Sequence, residues 1–243
     1  MGERGQGLPL VLLPGIEGDA RVFARQTPLA KSRSVVALDL PFGAANLRAM
    51  GDAVLDRIDQ IWPLLAPRGV SEPRVAVAGL SLGGLVGWAM ALAAPERVAA
   101  LITLGTLPSP SLIPSTVRRG RARAGTLPGP IFELLYGVRI KHHLTEEGVD
   151  PLITTQLVSD LPDKSEIVRR LDAVLSWGLP EGLDVPSLWL LGQIDAEAPW
   201  TPADVLRHVP GASVEVIPGG HRAPLTHPAA FHEAIERFLV RRV

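Results

Sequence analysis

The chain has 243 residues, of which 47% are hydrophobic and 20% are charged, so it can bury one sizeable core. The formal net charge of −1 removes any bulk electrostatic argument for binding nucleic acid or an anionic membrane, and the absence of cysteine excludes disulfides and a thiolate nucleophile. No apolar stretch reaches the ~18 residues that a membrane span needs. The first seven residues lack the apolar run of a signal peptide, so we expect a cytoplasmic protein.

Six short apolar runs, each closed by turn residues, predict buried strands. They span 8–13, 34–40, 74–78, 98–104, 187–191 and 213–217. Helical patterns lie between most of them, at 49–65, 82–93, 202–209 and 228–240. This alternation predicts an α/β fold with a mostly parallel sheet of about six strands that helices cover on both faces.

The stretch from 107 to 183 interrupts the alternation, because it contains helical segments such as 131–136 and 165–177 but no convincing strand. We interpret it as a helical cap or lid, which leaves an α/β core of residues 1–106 and 184–243. The stretch also carries Arg118, Arg119, Arg121 and Arg123, as well as His142 and His143. These groups could attract an anionic substrate or line a pocket, but we expect solvated side chains.

The sequence GLSLG at 79–83 lies between a predicted strand and a predicted helix. A serine at such a sharp turn adopts a strained backbone conformation that projects its hydroxyl above the sheet edge, and small neighbours allow the tight turn. The N-terminus of the next helix favours the negative charge that develops during attack on a carbonyl. We therefore predict Ser81 to be a nucleophile and not merely the N-cap of a helix.

With this motif, and with LPGIEGDAR at 13–21 after the first strand, the chain resembles the α/β-hydrolase superfamily, in particular small single-domain esterase-like serine hydrolases. The resemblance covers nearly the whole chain apart from the insertion. It implies the α/β-hydrolase fold with reduced N-terminal strands, since only seven residues precede Leu8.

The general base is expected in the glycine-rich sequence PGGH at 218–221, which follows the last predicted strand and can bring an imidazole to the nucleophile. The family places its histidine there, so the resemblance implies that His221 is the base. It also implies that Asp195, after the fifth strand, is the acid that orients the imidazole. Glu197 is the rival acid, and we expect it to be an exposed loop carboxylate.

The resemblance further implies an oxyanion hole formed by the backbone N–H groups of Ile16 and Leu82. A carboxylate at Glu17 would oppose an oxyanion if it pointed inward, and we expect it to face solvent. Asp19 is expected to cap a short helix that begins near Ala20.

These residues imply a serine esterase that forms an acyl-enzyme intermediate and needs neither a metal nor an organic cofactor. Because the insertion is rich in Leu, Ile and Val, we expect an apolar pocket and a small-molecule ester or thioester with a short to medium acyl chain. One triad would equally serve a thioesterase, a lactonase or a C–C bond hydrolase. Acyl transfer to an alcohol or amine, a non-catalytic ligand-binding role and the oligomeric state stay open.

Overall fold

The computed structural model of the chain describes residues 7–67, 69–179 and 182–242. Its strands are β1 (Gly7–Leu13), β2 (Arg33–Ala37), β3 (Val75–Leu80), β4 (Val98–Leu104), β5 (Ser187–Gly192) and β6 (Ser213–Ile217). They form one sheet in the order β2-β1-β3-β4-β5-β6, and each neighbouring pair is parallel. The predicted α/β fold with a six-stranded parallel sheet is confirmed. Residues 1–6, 68 and 243 of the predicted core and residues 180–181 of the predicted cap lie outside the described residues.

The two central strands, β3 and β4, are buried along their whole length, which explains their nearly unbroken apolar sequences. Successive side chains of a strand point to opposite faces of the sheet. Val75 and Val77 therefore pack into the hydrophobic cluster on one face, whereas Ala76 and Ala78 pack into the cluster on the other. The sheet thus separates two cores, and helices cover both.

The four predicted helices of the α/β core are present, and the short helix at Ala223–Thr226 was not predicted. In chain order, the helices of the described residues are α1 (Leu47–Leu65), α2 (Leu82–Ala93), α3 (Ser115–Thr126), α4 (Gly129–Glu146), α5 (Pro151–Ser159), α6 (Lys164–Ser176), α7 (Pro202–His208), α8 (Ala223–Thr226) and α9 (Pro228–Arg242). The helix α1 begins two residues before its predicted start, because the side chain of Asn46 caps it by accepting a hydrogen bond from Ala49 N at 2.9 Å. Thr201 and Asp204 form a capping box at the start of α7.

Helices α3 to α6 all fall within the predicted insertion of residues 107–183, and no strand occurs among the described residues of that range. The predicted segment 131–136 is part of the longer helix α4, and the predicted segment 165–177 matches α6 to within one residue at each end. The exact limits of the cap stay a prediction. Among the described residues, no helix has the length and apolarity to cross a membrane, and the cytoplasmic location stays a prediction.

Helix α2 lies very close to the sheet at Gly87. A Cβ atom placed on this glycine would stand 2.7 Å from Cδ1 of Leu101 and 2.9 Å from Cγ1 of Val77, both of which are buried. Gly87 therefore sets the distance between the helix that follows Ser81 and the two central strands.

We expect Gly87→Ala to lower the free energy of unfolding by about 1–3 kcal/mol, because the added methyl group overpacks the core. Urea denaturation followed by circular dichroism measures this change. Gly120→Ala is the control: this glycine lies in α3 with open space around its Cβ position, so the substitution should stabilise by up to ~1 kcal/mol through helix propensity alone. A Gly87→Ala protein as stable as the unsubstituted chain would contradict the packing argument.

Candidate active site

Ser81 occupies a strained turn between β3 and α2. Its backbone angles are φ 52° and ψ −116°, and residues that carry a side chain rarely adopt so positive a φ. The turn is so tight that a Cβ on Gly79 would lie 2.2 Å from Gly84 N, and a Cβ on Gly83 would lie 2.2 Å from Leu13 O. The glycines of the motif are therefore required by close backbone packing.

Two hydrogen bonds attach the main chain of Ser81 to the end of β4. Its N–H donates to Leu104 O at 2.8 Å, and the hydroxyl of the buried Thr106 donates to the carbonyl oxygen of Ser81 at 3.0 Å. With both peptide groups held, the strained conformation persists because the surroundings determine it.

His221 and Asp195 meet at the same edge of the sheet. Nδ1 of His221 lies 2.8 Å from Oδ2 of Asp195, and both side chains are buried. The second carboxylate oxygen of Asp195 accepts hydrogen bonds from the N–H groups of Glu197 and Ala198, each at 2.9 Å. This acid is thus fixed by its own loop and can orient the imidazole.

The imidazole also lies against the end of β4. A Cβ placed on Gly105 would stand only 2.7 Å from Nδ1 and Cε1 of His221. Since Leu104, the residue before, accepts the hydrogen bond from Ser81 N, the histidine and the serine pack around the same short segment. The structure therefore brings all three sequence-predicted side chains to one edge of the sheet.

The loop after β1 packs directly on the start of α2. The carbonyl oxygens of Leu13 and Pro14 lie beside Gly83, which follows Leu82. Within the described residues, the N–H groups of Ile16 and Leu82 donate no hydrogen bond to another residue, so both are available as donors. Asp19 caps the 3-10 helix at Ala20–Phe23 through Arg21 N at 2.8 Å, which confirms that prediction.

The expectation that Glu17 faces solvent is wrong, and Glu197 is not simply an exposed loop carboxylate. Both side chains point to Arg222, whose guanidinium lies 3.8 Å from Glu17 Oε1 and 3.4 Å from Glu197 Oε1. Tyr136 OH also donates to Glu17 Oε1 at 3.2 Å. Arg222 is only 4% exposed, and a buried guanidinium requires partners of opposite charge. Sequence reasoning missed this cluster, although each of its charged members stands one or two residues from a predicted site residue.

These charges shift the pKa of the histidine. Burial alone lowers the pKa of His221, and Arg222 acts in the same direction, but the carboxylates of Glu197 and Asp195 outweigh both and raise it above its usual 6.5. Burial raises the pKa of Glu197, yet the positive charges of Arg222, His221, His143 and Arg139 lower it to about 2. Glu197 is therefore ionised at neutral pH and stabilises a charged imidazole.

The remaining candidate side chains of the insertion, two histidines and four arginines, differ in their exposure and in their partners. His142 is 65% exposed beside Glu146, as expected for a solvated side chain, whereas Nδ1 of His143 reaches to 3.8 Å from Glu197. Three of the four clustered arginines are exposed, and the fourth, Arg121, pairs with Asp172 at 2.6 Å.

In the described parts of the chain, no group of three or more metal-ligating side chains is arranged to hold a metal ion. That the chain works without a cofactor stays a prediction.

The fold and the position of the strained serine are those of one class of protein, the hydrolytic enzymes built on a parallel sheet. A family model described as "Alpha/beta hydrolase family" matches residues 10–234, which is most of the chain. The chain belongs to the alpha/beta hydrolase family.

Curated relatives and solved structures agree with this assignment. The chain is 28% identical over 249 residues to the dihydrolipoyllysine-residue acetyltransferase component of an acetoin cleaving system from Pseudomonas putida; the match includes 96% of this chain and only 64% of that protein. It is 27% identical over 260 residues to a pimeloyl-acyl-carrier-protein methyl ester esterase from Klebsiella pneumoniae, covering 93% of this chain and 91% of the relative. A solved structure of a thermophilic esterase from Thermogutta terrifontis superimposes with a TM-score of 0.72 at 23% identity, covering 98% of this chain and 91% of that one, and shows the shared fold.

The electrostatic role of Glu197 can be tested by a measurement that does not depend on catalytic activity. Glu197→Gln removes the negative charge next to the imidazole, so we expect the pKa of His221 to fall. The measurement is an NMR titration of the His221 ring resonances.

Glu146→Gln is the control, because Glu146 is an exposed carboxylate beside His142 and is not among the groups that shift the pKa of His221. It should leave the His221 titration in place. An unchanged His221 midpoint in Glu197→Gln would show that this carboxylate does not act on the imidazole.

Proposed function

We propose that the chain is a serine hydrolase that cleaves carboxylic esters with Ser81 as nucleophile, His221 as general base and Asp195 as the orienting acid. The observation that carries the proposal is the buried 2.8 Å contact between Nδ1 of His221 and Asp195, at the sheet edge that bears the strained Ser81. With Nδ1–H donated to the carboxylate, Nε2 is the nitrogen that takes a proton.

In the proposed first half-reaction, Ser81 Oγ attacks the ester carbonyl carbon while His221 Nε2 takes the hydroxyl proton. The N–H groups of Ile16 and Leu82 bind the oxyanion of the tetrahedral intermediate, and a single such donor is worth about 10²–10³ in rate. Asp195 and Glu197 stabilise the imidazolium. When the intermediate collapses, the C–O bond to the alcohol breaks and His221 donates its proton to the departing oxygen.

In the second half-reaction, water attacks the acyl-enzyme and gives a proton to His221. Collapse of the second tetrahedral intermediate releases the carboxylic acid, and His221 returns the proton to Ser81 Oγ. The chain's own residues supply every proton transfer in this sequence.

The proposed substrates have short to medium acyl chains. A cavity of about 20 Å³, with room for about one water molecule, lies beside Leu80 and the loop after β1. Its apolar walls include Ile140, Leu144 and Leu157 of the insertion, in line with an insertion at 107–183 that covers the site of a core at 1–106 and 184–243. This space is too small for an acyl chain, and Ser81 and His221 are not among its lining residues, so the proposed chain length rests on the apolar composition of the insertion.

The name of the Klebsiella relative, an esterase of a methyl ester, favours a carboxylic ester over the other substrates that the same three groups would serve. We include a location in the cytoplasm in the proposal. Thioesters and lactones are the alternatives to include in a substrate panel, with and without an added alcohol or amine acceptor.

We expect Ser81→Ala to lower kcat for p-nitrophenyl acetate by about 10³–10⁶, because the acyl-enzyme can no longer form. Ser115→Ala, at the exposed start of α3, is the matched control and should keep full activity. A fluorophosphonate should add its mass to the peptide that contains Ser81. Equal rates in Ser81→Ala and the unsubstituted chain would overturn the assignment, and activity confined to long-chain lipids would overturn the acyl-length proposal.

The assignment of Asp195, and not Glu197, as the orienting acid is tested by substituting each carboxylate in turn. Asp195→Asn should lower kcat by roughly 10⁴, because the amide holds the imidazole in the wrong tautomer. Glu197→Gln should keep most of the rate near neutral pH and move the acidic limb of the kcat/KM profile to lower pH, since the base then deprotonates at lower pH. The reverse ranking of the two variants would make Glu197 the orienting acid.

A further inference from the structure

The insertion contributes a completely buried ion pair to the core. Arg170 and Glu166 both lie in α6, their side chains are each only 1% exposed, and Arg170 Nε donates to Glu166 Oε1 at 2.9 Å. The ring of Phe42 covers the guanidinium at 5.3 Å. A buried ion pair is a weak source of stability, because desolvation offsets most of the attraction. Its presence therefore calls for another explanation.

The guanidinium reaches beyond its partner to the loop after β1. Its NH1 group donates to the carbonyl oxygen of Ile16 at 2.8 Å, and its NH2 group donates to the carbonyl oxygen of Leu40 at 3.4 Å. One arginine thus joins α6 of the insertion to the backbone of the residue whose N–H is the proposed oxyanion donor. A single planar group with several fixed donors suits this task better than a lysine would.

The loop makes room for this contact at Gly18. The residue has φ +79°, and a Cβ placed on it would lie 2.2 Å from NH1 of Arg170. Gly18 N donates to Gly15 O at 2.9 Å and Leu40 N donates to Gly18 O at 3.0 Å, so the turn around Ile16 is closed on both sides. The guanidinium fills the place where a side chain at position 18 would stand.

We propose that Arg170 is a positioning residue that holds Ile16 so that its N–H points to the developing oxyanion. This inference rests on the proposed function. The N–H of Ile16 has no acceptor among the described residues. It belongs to the same planar peptide group as the carbonyl of Gly15, which accepts from the N–H of Gly18, the residue against which Arg170 packs. Displacement of a catalytic group by about 1 Å can cost on the order of 10²-fold in rate. Arg170 contacts no reacting atom and acts only through the loop.

The test is Arg170→Lys, which keeps a positive charge for Glu166 but cannot contact the carboxylate and the Ile16 carbonyl together. We expect kcat for p-nitrophenyl butyrate to fall about 10–100-fold with KM little changed. Inhibition by phenylboronic acid, whose serine adduct places a negative oxygen in the oxyanion hole, should weaken by the same factor. Arg169→Lys is the matched control, because Arg169 pairs with the same Glu166 at a half-exposed position and does not touch the loop.

A folding defect is separated from a positioning defect by guanidinium rescue. Arg170→Ala should be slow, and added guanidinium chloride at concentrations below those that denature should restore part of kcat. The proposal is overturned if a folded Arg170→Lys protein keeps its kcat, if only KM changes, or if Arg169→Lys is equally impaired.

The backbone amide resonance of Ile16 separates this inference from the proposed function. It should shift in Arg170→Lys and stay in place in Arg169→Lys, whether or not the chain hydrolyses esters. If the chain does not hydrolyse esters but the Ile16 resonance shifts, the esterase proposal is refuted and the contact between Arg170 and the loop is supported. An unshifted resonance would refute the positioning role even in an active esterase.

Discussion

The strained main chain of Ser81 is the constraint on which the rest of the site depends. A residue with a side chain adopts φ 52° only when its neighbours leave no alternative. Here the neighbours are glycines packed against backbone: position 79 touches the start of α2, and position 83 touches the end of β1. The same contacts that force the turn therefore bring the loop after β1 next to the helix N-terminus. The strained turn and the position of the loop after β1 are consequences of one close approach between backbone segments.

Local patterns predicted the scaffold well, because strands, turns and caps are set by residues close together in sequence. The buried strands β3 and β4, the serine turn and the glycine-rich sequence before His221 all carry such signals. Strand β2 ends earlier than its apolar run, at Ala37, since a hydropathy pattern does not show where pairing stops. The contact between Asp195 and His221 came from the family resemblance and not from any local pattern.

The charged cluster around Arg222 could not be derived in this way. Its members come from the loop after β1, from α4, from the loop after β5 and from the residue after His221. A lone glutamate in a loop has the same sequence signature whether it meets water or a buried guanidinium. Its partner is determined by tertiary packing, and the charge of Arg222 becomes informative only once its burial is known. Proximity to predicted site residues was the one available signal.

The insertion therefore contacts the proposed catalytic loops through side chains, and does not merely cover them. Tyr136 binds Glu17, Arg170 binds the Ile16 carbonyl, and Glu147 accepts a hydrogen bond from Arg222 N at 2.7 Å. The fit between Gly18 and Arg170 has an evolutionary consequence. A side chain at position 18 would collide with the guanidinium, whereas loss of the arginine would leave a void and remove one of the two arginines that pair with the buried Glu166. Substitutions at the two positions are therefore expected to be coupled, because a side chain at position 18 fits only where a residue shorter than arginine stands at position 170.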